Sequence, residues 1–63
     1  MMALALVAIA PFAVIEGELY ELPLEREELR STMHQLGLKR TLVYQAFDWD
    51  GIVFEVPIAE VSL

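Results

Sequence analysis

The hydrophobic pattern changes from that of a strand to that of a helix within residues 17–37. The first part mixes acids with large apolar residues, which is typical of a strand near a sheet edge. Residues 25–36 follow a helical period, and Gly37 stands where a left-handed residue commonly ends a helix. Three apolar residues share one helical stripe: Leu29, Met33 and Leu36. The pattern predicts an edge strand joined to an amphipathic helix.

A second pattern predicts a β-hairpin in the last third of the chain. Two runs of β-branched and aromatic residues, 40–47 and 52–56, flank Asp50-Gly51, a pair typical of a type I′ turn. The two-residue turn would pair Trp49 with Ile52, Phe47 with Phe54, and Gln45 with Val56. The predicted core face carries Val43, Phe47, Trp49, Ile52, Phe54 and Val56. A four-residue loop over 48–51 would change these pairs and remains an alternative.

The sequence predicts the secondary structure of residues 3–17 and 57–63 less specifically. Residues 3–10 form a continuous apolar run that suits a buried strand, although periodicity does not separate it from a buried helix. Residues 12–15 fit a bend or a strand, and Glu16-Gly17 fits a turn or a bulge. Residues 57–63 fit a helical turn, a frayed tail or a strand completed by a partner. The whole chain, 1–63, is predicted to be one α+β domain, with a three- or four-stranded antiparallel sheet and one amphipathic helix packed on a face.

Composition suggests that this domain has a partner. The chain has 63 residues, 57% of them apolar, and no cysteine that could form a disulfide. A domain of about 60 residues buries only about 60% of its unfolded surface, so part of the apolar excess should stay exposed. Exposed apolar patches usually mark interfaces. We therefore expect a homodimer or a docking surface for another protein.

Charge narrows the class of partner. Ten acids stand against four bases, giving a net charge of −6, and every base lies between Arg26 and Arg40. Such a field repels nucleic acid and attracts basic protein surfaces. Residues 1–15 are apolar but contain no basic residue and fall short of the roughly 18 residues that span a bilayer. We expect no membrane insertion. The alternative without a specific partner is that the acids only keep the protein soluble.

Catalytic and metal chemistry find little support. His34 is the only histidine, it falls off the apolar helical stripe, and no orienting group accompanies it. Residues 48–51 superficially resemble a calcium loop, but the glycine comes fourth and the closing glutamate is missing. No glycine-rich phosphate loop is present. The sequence predicts a protein that is not an enzyme and binds no metal or cofactor.

The spacing of the acids offers a different function. Alternate residues of a strand lie about 6.6 Å apart on one side, and helical residues i and i+3 are neighbours. Rows of carboxylates at such spacings can imitate the charges of a DNA backbone. Three pairs meet these spacings: Glu16 with Glu18, Asp48 with Asp50, and Glu25 with Glu28.

A family resemblance supports this interpretation. Gly17, residues 19–23 and residues 25–29 are followed by the acidic and aromatic segment 45–55 and by residues 57–61. This series resembles the N-terminal domain of the ArdA antirestriction family. Family members have three small domains, whereas this chain has one, and Tyr20 stands where their tryptophan is expected.

The resemblance implies a DNA mimic that blocks type I restriction–modification enzymes. The leading hypothesis is an acidic inhibitor in the bacterial cytoplasm, whose target is a protein with a basic cleft, either a restriction enzyme or a CRISPR effector. The rival hypothesis is a structural or assembly module that dimerises or docks through an apolar sheet face. The phosphate stand-ins would be Glu16, Glu18, Glu21, Glu25, Glu27, Glu28, Asp48, Asp50, Glu55 and Glu60.

Overall fold

The computed structural model describes residues 5–6, by their backbone only, and residues 10–63. One helix accompanies an antiparallel sheet, which confirms the α+β prediction. The elements are β1 (Ala5–Leu6), β2 (Phe12–Ile15), β3 (Glu18–Glu21), α1 (Arg26–Leu36), β4 (Arg40–Trp49) and β5 (Ile52–Ser62). Most of the strand predicted over 3–10 lies outside the described residues.

The long strand β4 is the centre of the sheet. Its neighbour β5 pairs with it from Arg40 to Trp49, so β1 and β2 share the opposite edge of β4. β3 pairs with β2, and the strand order is therefore β3-β2-β4-β5. The short strand β1 pairs with the same edge of β4 as β2 does, but nearer the hairpin turn, at Phe47 and Asp48. The predicted edge strand is β3, and the second sheet edge is β5.

Both tight turns use residues with a left-handed backbone. Asp50 and Gly51 have φ of 53° and 81°, as a type I′ turn requires. The hairpin register is the predicted one, with Trp49 opposite Ile52, which excludes the four-residue loop. Glu16 and Gly17, with φ of 51° and 79°, make the equivalent turn between β2 and β3.

The chain beyond Pro57 continues as a strand. Val43 lies opposite Ala59 and Tyr44 opposite Pro57, so Ile58 is the extra residue of a β-bulge. After the bulge β5 pairs with β4 of the same chain as far as Ser62. This pairing decides between the three predictions for residues 57–63 in favour of a strand, and it needs no second chain.

Local hydrogen bonds define the two ends of α1. At its start the Glu21 N–H donates to the Glu25 carboxylate at 3.0 Å, and the Glu25 N–H donates to the Glu21 carbonyl at 2.7 Å. At its end Gly37 has φ of 72°, as predicted. The Leu38 N–H donates to the Met33 carbonyl at 2.9 Å, which together with the Gly37 bond to His34 forms a Schellman motif.

The hydrophobic core lies between α1 and the adjoining half of the sheet. Leu29 and Met33 are fully buried there, whereas Leu36, the third residue of the predicted stripe, is 45% exposed. The core residues are Ala13, Ile15, Tyr20, Leu22, Leu29, Met33, Val43 and Val61.

The predicted core face of the hairpin was largely wrong. Val43 is buried, but Trp49, Ile52 and Phe54 are 47%, 69% and 37% exposed. The reason is length: an 11-residue helix is about 16 Å long, whereas ten residues of antiparallel strand extend about 34 Å. The far half of the hairpin, residues 46–56, which we call the arm, therefore projects beyond the helix. The molecule is correspondingly elongated, 46 × 18 × 18 Å.

Candidate partner-binding surface

The sheet face opposite α1, here the helix-free face, carries four of the ten acids. Val43 packs in the core beneath α1, so alternation places the even-numbered residues of β4 on the other side. The register puts Glu60 beside Leu42, Glu55 beside Ala46, and Asp48 beside Val53. Glu21 reaches the same face through its pairing with Phe12, which lies opposite Tyr44. The helix-free acidic set is Glu21, Asp48, Glu55 and Glu60.

These four acids occupy successive positions along the sheet. They stand at the levels of β4 residues 42, 44, 46 and 48, in the order Glu60, Glu21, Glu55, Asp48. One step corresponds to two strand residues, or about 6.8 Å along β4. The set is not a single straight line, because Glu21 lies on β3 and three strand spacings, about 14 Å, separate it from β5. The charges therefore cover an area of sheet.

Aromatic and apolar side chains lie between these acids. The rings of Phe12 and Tyr44 have centroids 6.1 Å apart and are tilted by 31°. Leu42 and Val53 remain 43% and 62% exposed on the same face. Phe12 itself is only 4% exposed, so a partner would meet the exposed parts of Leu42 and Val53 together with negative charge.

Three of the predicted phosphate stand-ins have structural hydrogen bonds of their own. The Asp48 Oδ1 accepts the Gly51 N–H at 2.9 Å and so closes the hairpin turn. The Glu25 carboxylate accepts the Glu21 N–H. The Glu18 Oε2 accepts the Tyr20 hydroxyl at 3.2 Å. These carboxylates are oriented by the fold, and only their remaining lone pairs are open to a partner.

The remaining acids lie elsewhere on the molecule. Glu27 and Glu28 are exposed in the first turn of α1. Glu16 and Asp50 occupy the two hairpin turns, at opposite ends of the sheet. They are therefore not strand positions, and the predicted same-side strand pairs of Glu16 with Glu18 and of Asp48 with Asp50 do not form. The ten acids do not make one surface.

Three of the four bases, Arg30, Lys39 and Arg40, lie at the end of the sheet away from the arm. Arg30 donates from Nη1 to the Ser62 carbonyl at 2.9 Å and so ties α1 to the end of β5. Arg40 lies opposite Ser62, one step beyond Glu60 on the helix-free face. Negative charge on this face is therefore concentrated toward the arm.

A small cleft opens between the start of α1 and β5. Its volume is about 260 Å³, and its walls include Leu22, Val43, Ile58 and Val61, with Arg26 among the lining residues. Ligand pockets usually measure about 300–1,000 Å³. This cleft is smaller, and its size suits one or two apolar side chains.

The described residues hold no constellation typical of catalysis. His34 is exposed on α1, off the buried stripe, as predicted. Within residues 5–6 and 10–63 no three His, Cys, Asp or Glu side chains are placed to hold a metal ion. In the same part of the chain no helix has the length and hydropathy to cross a bilayer.

The predicted hairpin register already puts Asp48 and Glu55 on one face, but sequence reasoning missed that Glu21 and Glu60 join them. Glu21 comes from a different strand, and the face of Glu60 depends on the register of β5, which shifts at Ile58. Pro57 in an apolar strand was the available signal, because proline within a sheet is confined to edges and bulges.

The chain matches no protein-family model, no curated protein and no solved structure.

Proposed function

We propose that this chain is an acidic inhibitor module of the bacterial cytoplasm that presents DNA-like charge to a nucleic-acid-handling defence protein. A restriction enzyme or a CRISPR effector is the expected target. The observation that carries the proposal is the helix-free acidic set, four carboxylates at successive levels of a rigid sheet. Each DNA strand carries one phosphate per about 3.4 Å of helix axis, so the step of about 6.8 Å along β4 equals two phosphate steps, while the acids are also offset sideways across the sheet.

A basic cleft would recognise this surface by its negative electrostatic potential. Nucleic-acid-binding clefts carry Lys and Arg side chains that neutralise phosphates. The net charge of −6 draws such a cleft toward the protein over about a Debye length, roughly 8 Å at physiological salt. Exposed Glu55 and Glu60 then meet the basic side chains directly. Binding of this kind weakens steeply as salt rises.

The test uses two triple variants that remove equal charge. Glu21→Gln/Glu55→Gln/Glu60→Gln neutralises most of the helix-free acidic set while sparing the turn bond of Asp48. Glu16→Gln/Glu27→Gln/Glu28→Gln is the matched control on other surfaces. Each protein is used to capture partners from a bacterial lysate, and the captured protein is then challenged with duplex DNA.

We expect the wild type and the control to capture a DNA-binding protein that duplex DNA releases. The helix-free triple variant should lose at least about tenfold in affinity, since three charged contacts are removed. Equal loss by both variants would show that net charge suffices and that this surface has no special part. Unchanged capture by both would contradict charge mimicry.

The arm favours a second candidate function, a non-enzymatic structural or assembly module. Trp49, Ile52 and Phe54 lie on one side of the arm with 37–69% of each residue exposed. Complete burial of a fully exposed side chain of this kind contributes about 1.5–3 kcal/mol, and docking would gain the share that corresponds to the part still exposed. Docking through this side would be nearly insensitive to salt, whereas acid-driven binding is not. Sedimentation and partner capture at 50 and 500 mM salt distinguish the two functions, and sedimentation also tests the predicted homodimer.

A further inference from the structure

The outer edge of β5 in the arm is open along its backbone. Among the described strands β5 pairs only with β4. The two-residue turn makes Trp49 and Ile52 a hydrogen-bonded pair, and antiparallel pairs alternate. Val53 and Glu55 are therefore non-hydrogen-bonded positions, whose N–H and C=O groups point away from β4. The arm offers two outward donors and two outward acceptors.

Several other outward-facing positions of the sheet edges are capped or lack a donor, while Leu19 on β3 and Glu60 on β5 are single open positions by the same alternation. On β3 the outward N–H and C=O of Glu21 both bond to Glu25, at 3.0 and 2.7 Å. On β5 the outward carbonyl of Ser62 accepts the Arg30 guanidinium at 2.9 Å. Pro57 has no N–H, and Ile58 interrupts the pairing. Within β5, residues 52–56 carry two successive open positions, Val53 and Glu55, whereas Glu60 stands alone between the bulge and the capped Ser62.

The two sides of this segment have opposite chemistry. Ile52 and Phe54 share a side with Trp49, and all three are exposed. Glu55 lies on the helix-free face, with Asp48 at the diagonal position on β4. A strand added beside β5 would place its alternate side chains next to these two surfaces. Apolar side chains fit the first surface, and Lys or Arg side chains fit the second.

We propose that residues 52–56 of β5 bind an extended segment of a partner protein in which apolar and basic residues alternate. The segment adds a strand to the sheet, so main-chain hydrogen bonds give affinity and the alternation gives specificity. A second copy of this chain fits less well, because antiparallel β5–β5 pairing centred on Phe54 places Glu55 opposite Val53 and offers it no basic residue. The proposal depends on the strand edge and does not require DNA mimicry.

Synthetic peptides of seven residues test the proposal on the full-length protein. The probe alternates lysine and valine. A second peptide has N-methyl groups on the residues that would donate to Val53 and Glu55, and a third has glutamate in place of lysine. Binding is followed by Trp49 fluorescence and by hydrogen exchange of the Val53 and Glu55 amides.

We expect saturable binding of the lysine–valine peptide and slower exchange of both amides. The N-methyl and glutamate peptides should each bind at least about tenfold more weakly, since one loses main-chain pairing and the other reverses the charge. Equal binding of the N-methyl peptide would overturn strand addition. No detectable binding of the lysine–valine peptide at millimolar concentration would also overturn it.

A protein variant provides an independent test. Val53→Pro removes one outward donor without removing a β4 bond, as Pro57 already does at a comparable outward position. Val53→Thr is the matched control, and circular dichroism of both variants verifies folding. Binding should fall at least about fivefold in the first and little in the second. If Val53→Pro does not fold, the peptide comparison on wild type decides alone. Self-association of the wild type that blocks peptide binding would identify a second copy as the occupant and refute the proposal.

Discussion

Replacing Leu29 by alanine tests the placement of α1 on the sheet. Leu29 is fully buried in the core between α1 and the strands. Leucine-to-alanine changes at such sites cost about 2–5 kcal/mol, because apolar contacts are lost and a cavity remains. A domain of 63 residues is expected to have a total stability of only about 3–9 kcal/mol. The substitution should therefore remove a large fraction of the stability.

The assay is thermal and urea unfolding followed by far-ultraviolet circular dichroism. One kcal/mol shifts the melting temperature of so small a domain by about 4–8 °C, so a loss of about 3 kcal/mol predicts a fall of about 12–24 °C. Leu24→Ala is the matched control, because Leu24 is 77% exposed and its truncation should change stability by less than about 0.5 kcal/mol. Similar effects of the two variants would refute the position assigned to α1.

Three further changes probe local features. Gly37→Ala should cost about 1–2 kcal/mol in chemical unfolding, because φ is 72° and no neighbouring atom lies within 4 Å of the new Cβ; equal stability would contradict the left-handed helix end. Asp48→Ala should cost about 1 kcal/mol and speed amide exchange at Gly51, whereas Asp48→Asn keeps the acceptor and should retain slow exchange. Tyr20→Phe should cost about 1 kcal/mol, since its hydroxyl contacts Glu18 and lies 2.9 Å from the Thr32 hydroxyl; an unchanged urea midpoint would show that these contacts contribute nothing.

Features fixed by one or two neighbouring residues could be predicted from the sequence. Asp50-Gly51 determines a turn by backbone sterics alone, and the register of the hairpin near that turn follows from it. Gly37 ends α1 for the same kind of reason. The apolar pattern also identified which arm residues share a side. These predictions needed no knowledge of the rest of the chain.

Features that depend on distant segments could not be predicted. Whether the apolar side of the arm is covered depends on where an 11-residue helix lies on a longer hairpin. The face of Glu60 depends on the bulge at Ile58, because one extra residue changes which side chains share a face. The sequence alone therefore suggested the ten acids as one binding set, and tertiary structure divides them.

This division separates acids whose carboxylates are held by a hydrogen bond from acids whose carboxylates are not. Asp48 is held by the Gly51 N–H, so its charge is already positioned before a partner arrives. Glu55 and Glu60 have no hydrogen bond within the described residues, and each side chain loses about 0.5–1.5 kcal/mol of conformational freedom when it is fixed at an interface. A partner that approaches the helix-free face would therefore meet one preorganised carboxylate, Asp48, and two that adapt, Glu55 on the arm and Glu60 beyond it. If the proposed basic partner binds here, Asp48 would fix the register of the bound surface, while Glu55 and Glu60 would adjust to it.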